Sequence, residues 1–290
     1  MSPPLPPMAM AVPRGITSTY TQTLANAGGC DLPLSPELQS VVNGASFAPG
    51  VSSESMITLF GSRFETSGYS RTASLGDYVN GAFPTELGCV GVEVTGPGLA
   101  QPVQLPIAFV NSSQINAQLP DFIGTGPITF TVLLNPNKSN QLMSEQGTFN
   151  SLQPFAPAFF LFGTSMSIAA EEAVTGALVA DSSVVAGASP AKPGDIVALY
   201  GTGFGDTSAA FVEGQLATGI ASLTNQITVT IGSTKLASSD ILYAGLSPGS
   251  INGLYQFNVR IPSTAPSGEV PVTISIGGVT TQSGATIPIQ

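Results

Sequence analysis

Histidine and tryptophan are absent from this 290-residue chain, and charged residues make up only 8% of it. Without histidine, neither a Ser-His-Asp or Cys-His nucleophile system nor a histidine-ligated metal site can be built. The 7 Lys and Arg residues are outnumbered by 17 Asp and Glu residues, which gives a net charge of −10. That balance argues against binding to nucleic acid or to an anionic membrane surface, since both require clustered cations.

Long apolar runs are also missing. No run reaches the roughly 18–20 residues of a membrane-spanning helix. Residues 1–14 are rich in proline and lack the basic and apolar regions of a signal peptide, so we expect either a removed signal or another export route. A charge fraction far below the usual figure of about 25% fits either an ordinary neutral surface or one that touches other protein.

Cysteine is scarce but even in number. The two cysteines, Cys30 and Cys89, occur in a chain rich in Ser, Thr and Gly. An even pair in such a composition predicts an exported protein with one disulfide; the alternative is two unrelated buried thiols. If formed, the bond closes a loop worth about 4 kcal/mol in the chain-entropy model.

Two motifs occur twice in the same order. The segment 55–64 reappears at 194–204, with Phe204 lying 140 residues after Phe64. The segment 114–120, QINAQLP, reappears at 256–262 as QFNVRIP. Matched order and spacing predict two copies of one domain, at 38–155 and 156–290, preceded by a Pro-rich extension at 1–37.

Both copies contain short segments rich in Val, Ile, Thr and Phe, separated by Gly, Pro and Asn. This pattern predicts an all-β chain of two tandem immunoglobulin-like β-sandwiches. Gly277 and Gly278 are predicted to form a two-residue hairpin turn. The predicted strands are 56–60, 90–95, 107–110, 114–119, 128–134, 196–200, 226–231, 241–243, 254–261, 270–276 and 285–289.

Two segments fall outside this pattern. Residues 16–24 alternate, with Ile16, Tyr20 and Leu24 on one face, and predict a strand that precedes both repeats. That strand either pairs with its own first domain, is donated to a neighbouring molecule, or is disordered. Residues 169–174 have helix-forming composition but are too few to form a stable helix, so we interpret them as a turn or hairpin flank.

The order of several motifs resembles a known family. They are VNGASFAPG at 42–50, ITLFG at 57–61, QINAQLP at 114–120, ASPAKPGD at 188–195, YGTGFG at 200–205, YAGL at 243–246 and YQFNV at 255–259. Together they resemble the two-repeat C-terminal module of large secreted acidobacterial proteins, whose halves are similar to IPT/TIG immunoglobulin-like domains. The resemblance spans about 40–290 and implies β-sandwiches in an extracellular setting, with no known catalytic or ligand residues. Cys30 and Cys89 are not part of the matched pattern.

Several patterns mimic catalytic or binding motifs. Gly245-Leu246-Ser247-Pro248-Gly249 matches the G-x-S-x-G elbow but lies between predicted strands and has no base, so we interpret it as a turn. The loop 201–205 resembles a phosphate-binding loop but is followed by Asp206, and a tight turn is favoured. Glu171, Glu172 and Asp181 are candidate calcium ligands without the required spacing, which favours a solvated loop.

The repeated Gln-x-Asn pair is the most specific candidate site. Gln114 and Asn116 share one face of a predicted strand, and so do Gln256 and Asn258. We expect these amides to satisfy backbone groups of nearby loops; the alternative is a row of amides that faces a ligand. The N-x-S matches at 111–113 and 137–139 mark surface loops only.

The leading hypothesis is a secreted, non-enzymatic structural or adhesive protein at the cell surface or outside the cell. We predict no catalytic residues, metal or cofactor, and expect the partners to be copies of itself, in an oligomer or filament, or other surface proteins. One alternative is a module that binds carbohydrate or another surface polymer, for which Tyr69, Tyr78 and Tyr255 should cluster on one exposed face. Another is an accessory part of a larger exported enzyme.

Overall fold

The computed structural model describes residues 30–209 and 212–290, apart from the side chains of 149–151. Over these residues the chain forms 22 β-strands and two 3-10 helices of three residues each, with no α-helix. The predicted all-β class is therefore confirmed. Within the same residues no helix has the length and hydropathy needed to cross a membrane. The predicted strand at 16–24, with Ile16, Tyr20 and Leu24, lies outside the described residues.

The described chain divides into two compact units. The first sandwich contains residues 30–154 and 212–216, and the second contains 155–209 and 217–290. The segment 212–216 thus departs from the contiguous second domain predicted at 156–290. Gly214 binds this segment to the first sandwich, because its carbonyl accepts the Phe83 N–H at 2.8 Å and its N–H donates to Gln118 Oε1 at 2.7 Å.

The first sandwich has two sheets. One has the order β1-β3-β9-β8-β4; the other has the order β2-β12-β10-β6-β5, with β11 on β10 and β7 on β6. All pairs are antiparallel except β2 with β12. The strands are β1 Glu37–Asn43, β2 Val51–Ser52, β3 Met56–Ser62, β4 Ser70–Thr72, β5 Glu86–Leu87, β6 Val90–Thr95, β7 Val103–Gln104, β8 Ile107–Asn111, β9 Gln114–Gln118, β10 Gly126–Leu134, β11 Leu142–Met143 and β12 Gly147–Gln153.

The second sandwich is built in the same way. One sheet has the order β13-β15-β19-β18 with β14 on β15; the other has the order β17-β16-β20-β21 with β22 on β20. The strands are β13 Ala158–Phe159, β14 Ala170–Glu172, β15 Ile196–Thr202, β16 Ile227–Ile231, β17 Thr234–Lys235, β18 Ile241–Leu246, β19 Tyr255–Arg260, β20 Gly268–Ile276, β21 Val279–Thr280 and β22 Thr286–Ile289. The 3-10 helices are Leu75–Asp77 in the first sandwich and Ser238–Asp240 in the second.

Alternation of side chains creates a separate core in each sandwich. Along β20, Val270, Val272, Ile274 and Ile276 are buried while the residues between them are exposed or half-buried. Because successive side chains of a strand point to opposite faces, one face of each sheet meets the facing sheet. Each core cluster draws on both sheets of its own sandwich.

The two repeated motifs are hydrogen-bonded neighbours in both sandwiches. In the first, β3 pairs with β9 so that Phe60 lies opposite Gln114. In the second, β15 pairs with β19 so that Tyr200 lies opposite Gln256. The register is the same in both copies, which explains why both motifs recur together: each supplies one half of a central strand pair.

Candidate functional site

The predicted amides lie on the face of β9 and β19 that points away from the core. Ile115 and Phe257, which alternate with them, belong to the core clusters. The expected placement of each Gln-x-Asn pair on one strand face is therefore what the structure has. The two rows differ in their partners and in their exposure.

In the first sandwich the row is buried and internally bonded. The Gln114 side-chain amide donates to Asn116 Oδ1 at 2.8 Å, and the Thr58 hydroxyl donates to the same oxygen at 3.0 Å. Gln114 is 3% exposed and Asn116 5% exposed. The amide that satisfies a loop backbone group is the next one along β9, Gln118, which accepts the Gly214 N–H.

In the second sandwich the same bond recurs but the row is only half-buried. The Gln256 side-chain amide donates to Asn258 Oδ1 at 2.8 Å. The position of Thr58 is taken by Ala198, opposite Asn258, so no hydroxyl arrives from β15. Instead the Ser247 hydroxyl donates to Gln256 Oε1 at 3.1 Å and lies 3.2 Å from the Ser250 hydroxyl.

A buried acid–phenol pair extends this row. The Tyr200 hydroxyl donates to Glu171 Oε1 at 2.5 Å. Burial raises the pKa of Glu171, although the bond from Tyr200 opposes the rise. Burial, followed by the bond and the charge of Glu171, raises the pKa of Tyr200. The phenol is therefore a hydrogen-bond donor at any ordinary pH, and Glu171 is its fixed acceptor.

Sequence reasoning missed this pair. The composition of 169–174 predicts a turn or hairpin flank, and residues 170–172, β14, do flank a turn, since Glu171 pairs with Leu178 across it. The sequence does not show that β14 also pairs with β15 and places Glu171 opposite Ala198. A signal was available in the repeats, because Tyr200 occupies the position of Phe60 and therefore adds a hydroxyl to an otherwise apolar position. Nothing in the sequence places Glu171 beside it.

We call Glu171, Tyr200, Ser247, Gln256 and Asn258 the polar strip of the second sandwich. Ser247 is fully buried and its hydroxyl contacts an amide and another hydroxyl, neither of which is a base. The strip can therefore form hydrogen bonds, but its geometry does not activate a nucleophile. The interpretation of 245–249 as a turn agrees for 247–249, which follow β18, whereas Gly245 and Leu246 are the last residues of that strand.

The predicted disulfide is present. Cys30 and Cys89 are bonded, with a Cα–Cα distance of 5.4 Å. Cys89 lies with Gly88 in the two-residue turn between β5 and β6, and both have positive φ, 66° and 61°. Over the described residues, Cys30, Cys89 and Glu86 also form the one group of three side chains with metal-binding atoms within 4.8 Å of one another.

The three tyrosines do not form an exposed set. Tyr255 is fully buried, donates to the Gly205 carbonyl at 2.6 Å and packs against Phe204. Tyr69 packs against the core of the first sandwich, and Tyr78 is half-buried against Phe83 with ring centroids 4.5 Å apart. The burial of Tyr255 counts against the aromatic platform that sugar binding was expected to use.

The remaining candidates are engaged locally. The Glu172 carboxylate accepts the backbone N–H groups of Val174 and Thr175, and the Asp181 carboxylate accepts the backbone N–H of Ser183. Residues 201–205, the end of β15 and the segment after it, are buried. A Cβ on Gly203 would overlap the Ala156 carbonyl, so the glycine allows a close approach of two backbones. The side-chain oxygen of Asn111 accepts the N–H groups of Ser113 and Gln114.

Comparisons with known proteins give little further information. No family model matches the chain, and no curated protein matches it. One solved structure that matches is SGBP-B from a complex xyloglucan utilization locus in Bacteroides uniformis, at 14% identity and a TM-score of 0.24. The match covers 88% of this chain and 50% of the other, so the chain spans about half the length of that protein. A similarity at this level identifies neither fold nor ligand.

Proposed function

We propose that the chain is a secreted, non-enzymatic structural or adhesive protein that acts through contacts at its surface. The observation that carries the proposal is the state of the polar strip. The Glu171 carboxyl is bonded to the Tyr200 hydroxyl, the Gln256 amide is bonded to Asn258 and to the Ser247 hydroxyl, and Ser247 is fully buried. Groups held in this way hold neighbouring strands together and are not free for acid–base or nucleophilic work.

One further observation supports an extracellular setting, and another supports contact with other chains. The Cys30–Cys89 bond is typical of proteins that reside in an oxidising compartment. The low charge fraction leaves few lysines to protect strand edges from other chains. We also propose membership of the two-repeat secreted module, because the motifs that carry that resemblance form the same strand pair in both sandwiches.

The reactivity of the Ser247 hydroxyl tests whether the chain is non-enzymatic. We expect a serine-reactive fluorophosphonate to leave the folded chain unlabelled, because the hydroxyl is buried and lacks a base. The matched variants are Ser247→Ala and Ser250→Ala. Stoichiometric labelling that is lost in Ser247→Ala but retained in Ser250→Ala overturns the non-enzymatic assignment.

A second candidate function is binding of a neutral polysaccharide. It is favoured by one feature: Gln256 and Asn258 are half-buried, unlike their buried counterparts Gln114 and Asn116. Planar amides pair well with sugar hydroxyls. Affinity electrophoresis through gels that contain neutral polysaccharides tests it, with Asn258→Ala expected to restore free mobility and the exposed Asn225→Ala to leave retardation unchanged. Unretarded migration of the wild-type chain in every gel excludes this function.

A further inference from the structure

The disulfide is part of a three-ligand cluster. The Sγ atom of Cys30 lies 3.7 Å from Glu86 Oε1, and the two sulfurs and a Glu86 carboxylate oxygen all lie within 4.8 Å of one another. Cys30 and Cys89 are half-buried, and Glu86 is exposed. While the sulfurs are bonded to each other they are poor ligands, because metals bind thiolates. Reduction would convert the cluster into two thiols and a carboxylate.

Hydrogen bonds independent of the disulfide hold both cysteines in place. Asn135 is fully buried, and its backbone N–H donates to the Cys89 carbonyl at 2.9 Å. Its side chain accepts the Leu32 N–H at 2.9 Å and donates to the Leu32 carbonyl at 2.9 Å. One residue therefore ties the turn that carries Cys89 to the segment that carries Cys30.

A second residue holds the same segment. The side-chain amide of Asn140 donates to the Cys30 carbonyl at 3.3 Å and to Asp31 Oδ1 at 3.1 Å. Residues 30–32 are thus fixed to the loop 135–140 by side-chain bonds that do not involve sulfur. We therefore expect these bonds to keep the two sulfurs close together when the S–S bond is broken.

We propose that Cys30, Cys89 and Glu86 form a redox-gated site for a thiophilic divalent cation such as Zn²⁺. Two equivalents of a small thiol reduce the bond, giving two protein thiols and one small-molecule disulfide. The cation then binds as both thiols release their protons, with Glu86 as third ligand and water as fourth. In a tetrahedral site with Zn–S of about 2.3 Å, the sulfurs lie about 3.8 Å apart, which side-chain rotation alone can reach.

The ligand set selects among cations. Two thiolates favour Zn²⁺ or Cd²⁺ over Ca²⁺ and Mg²⁺, which require oxygen ligands. The oxidised protein has only the Glu86 carboxylate to offer at this place. Reaction of the two thiolates with a small-molecule disulfide, the reverse of the reduction, gives two small thiolates and therefore releases the cation. The disulfide and the metal thus exclude each other at this site.

The experiment compares oxidised and reduced full-length chain. The protein is reduced with a phosphine, which is then removed under anaerobic conditions, and Cd²⁺ or Zn²⁺ is titrated. We expect one ion per reduced chain, a thiolate-to-cadmium charge-transfer band, and a rise in melting temperature on addition of Zn²⁺. The oxidised chain should show none of these.

Variants test the assignment of ligands. Cys89→Ser should abolish the band, and Glu86→Gln should weaken binding at least about tenfold, since even outer-shell partners contribute that much. Glu145→Gln, an exposed carboxylate elsewhere in the first sandwich, should leave affinity unchanged. Equal binding by oxidised and reduced chains, or unchanged affinity in Glu86→Gln, overturns the proposal. A chain that unfolds on reduction and does not refold with Zn²⁺ overturns it as well.

Discussion

The carboxyl group of Glu65 is buried at a place where the fold supplies little compensation. It is 8% exposed, and its one described hydrogen bond comes from the Thr66 N–H at 3.0 Å. Burial raises its pKa from 4.5 to about 7, against the lowering effects of that bond and of the Arg71 charge. The side chain lies over Gly88, where an added Cβ would come within 2.8 Å of Glu65 Oε1 and 3.1 Å of the Tyr69 ring.

Replacing Glu65 tests the consequence for stability. The folded chain holds the proton up to about pH 7, whereas the unfolded chain releases it near 4.5. Between these values the folded state binds more protons, so stability falls as pH rises through the window. We expect Glu65→Gln to raise the free energy of unfolding by about 1–2 kcal/mol at pH 8 and to have little effect at pH 4.

Urea unfolding across this pH range measures the difference, with the exposed Glu145→Gln as control. A difference between Glu65→Gln and wild type that stays constant from pH 4 to pH 8 contradicts the assignment of the raised pKa to Glu65.

Removing the Tyr200–Glu171 bond should lower the stability of the chain, in contrast to the gain expected for Glu65→Gln. Tyr200→Phe removes the donor and leaves Glu171, 8% exposed, without its partner. Leaving a buried acceptor unsatisfied costs about 1–3 kcal/mol, and we expect a loss of that size in the free energy of unfolding at pH 8. The loss should shrink at pH 4, where a carboxyl with a raised pKa is protonated in both states.

A double-mutant cycle with Glu171→Ala isolates the pair, because Tyr200→Phe removes the donor and Glu171→Ala removes the acceptor. Strictly additive losses would show that the bond does not couple the two residues.

At the scale of elements, glycines decide where strands turn and where backbones meet. The predicted hairpin at Gly277 and Gly278 is confirmed, with β20 ending at Ile276 and β21 beginning at Val279. Both glycines have positive φ, 55° and 84°, as a two-residue turn of the mirror-image type requires. They differ in surroundings: a Cβ on Gly277 would overlap the Phe155 ring, while a Cβ on Gly278 would meet no atom within 4 Å.

This difference separates two costs within one turn. Gly278→Ala carries only the left-handed backbone penalty, and we expect a loss of about 1–2 kcal/mol. Gly277→Ala carries the same penalty and displaces the Phe155 ring, so its loss should be larger by about 1–3 kcal/mol. Thermal unfolding of the two single variants gives the comparison. Equal losses would mean that the half-buried Phe155 ring moves aside at no cost.

A repeated glycine–phenylalanine contact explains one of the motifs. A Cβ on Gly61 would overlap the Phe64 ring, and a Cβ on Gly201 would lie 2.8 Å from the Phe204 ring. In both repeats the ring folds back over the end of its own strand, and the residue before it has positive φ: 60° at Arg63 and 82° at Gly203. The pattern that looked like a phosphate-binding loop is this packing contact.

Strands with strong alternation could be predicted from the sequence, and polar ones could not. The segment 90–95 was predicted to the residue, since Val90, Val92 and Val94 alternate with smaller or polar side chains. Strand β12, Gly147–Gln153, was missed because its sequence, GTFNSLQ, shows little alternation. Strand β1, Glu37–Asn43, was missed because its sequence, ELQSVVN, shows no regular alternation of apolar and polar residues.

At the scale of the whole chain, the repeats predict two copies of one domain but neither the pairing of their strands nor the segments that complete each copy. The amide rows were predicted by period-2 spacing, yet Gln118 and the segment 212–216 that it binds required a contact across 96 positions of sequence. Glu171 and Tyr200 are likewise joined only by the pairing of β14 with β15. Partners that depend on which strands become neighbours are not encoded in local pattern.

Strand edges bear on the proposed self-association. Most described edges end in strands of two or three residues, such as β4, β17 and β21, and short edges give a foreign strand little to pair with. Two edge strands are longer, β1 with seven residues and β18 with six. Strand β18 is already paired over its second half, where the Leu246 N–H donates to the Ala221 carbonyl and the Ala244 carbonyl accepts from the Leu223 N–H. Most of the described edges therefore restrict assembly, and the predicted strand at 16–24 stays the candidate donor.

Deleting residues 1–29 tests whether that strand mediates assembly. The deletion removes Ile16, Tyr20 and Leu24 but retains Cys30, so the disulfide and the first sandwich are preserved. We predict that the intact chain associates head to tail, since a donated strand leaves each new copy with an unused acceptor edge and the contact need not close. Each added backbone hydrogen bond would contribute about 0.5–1.5 kcal/mol.

Light scattering over a range of concentrations should show growth of the intact chain and a monomer for the truncated one. Substituting Tyr20→Asp in the intact chain is the matched control, because it keeps the length while placing a charge on the face to be buried. Equal assembly of intact and truncated chains would assign the contact to another edge, and a monomeric intact chain at high concentration would exclude self-association altogether.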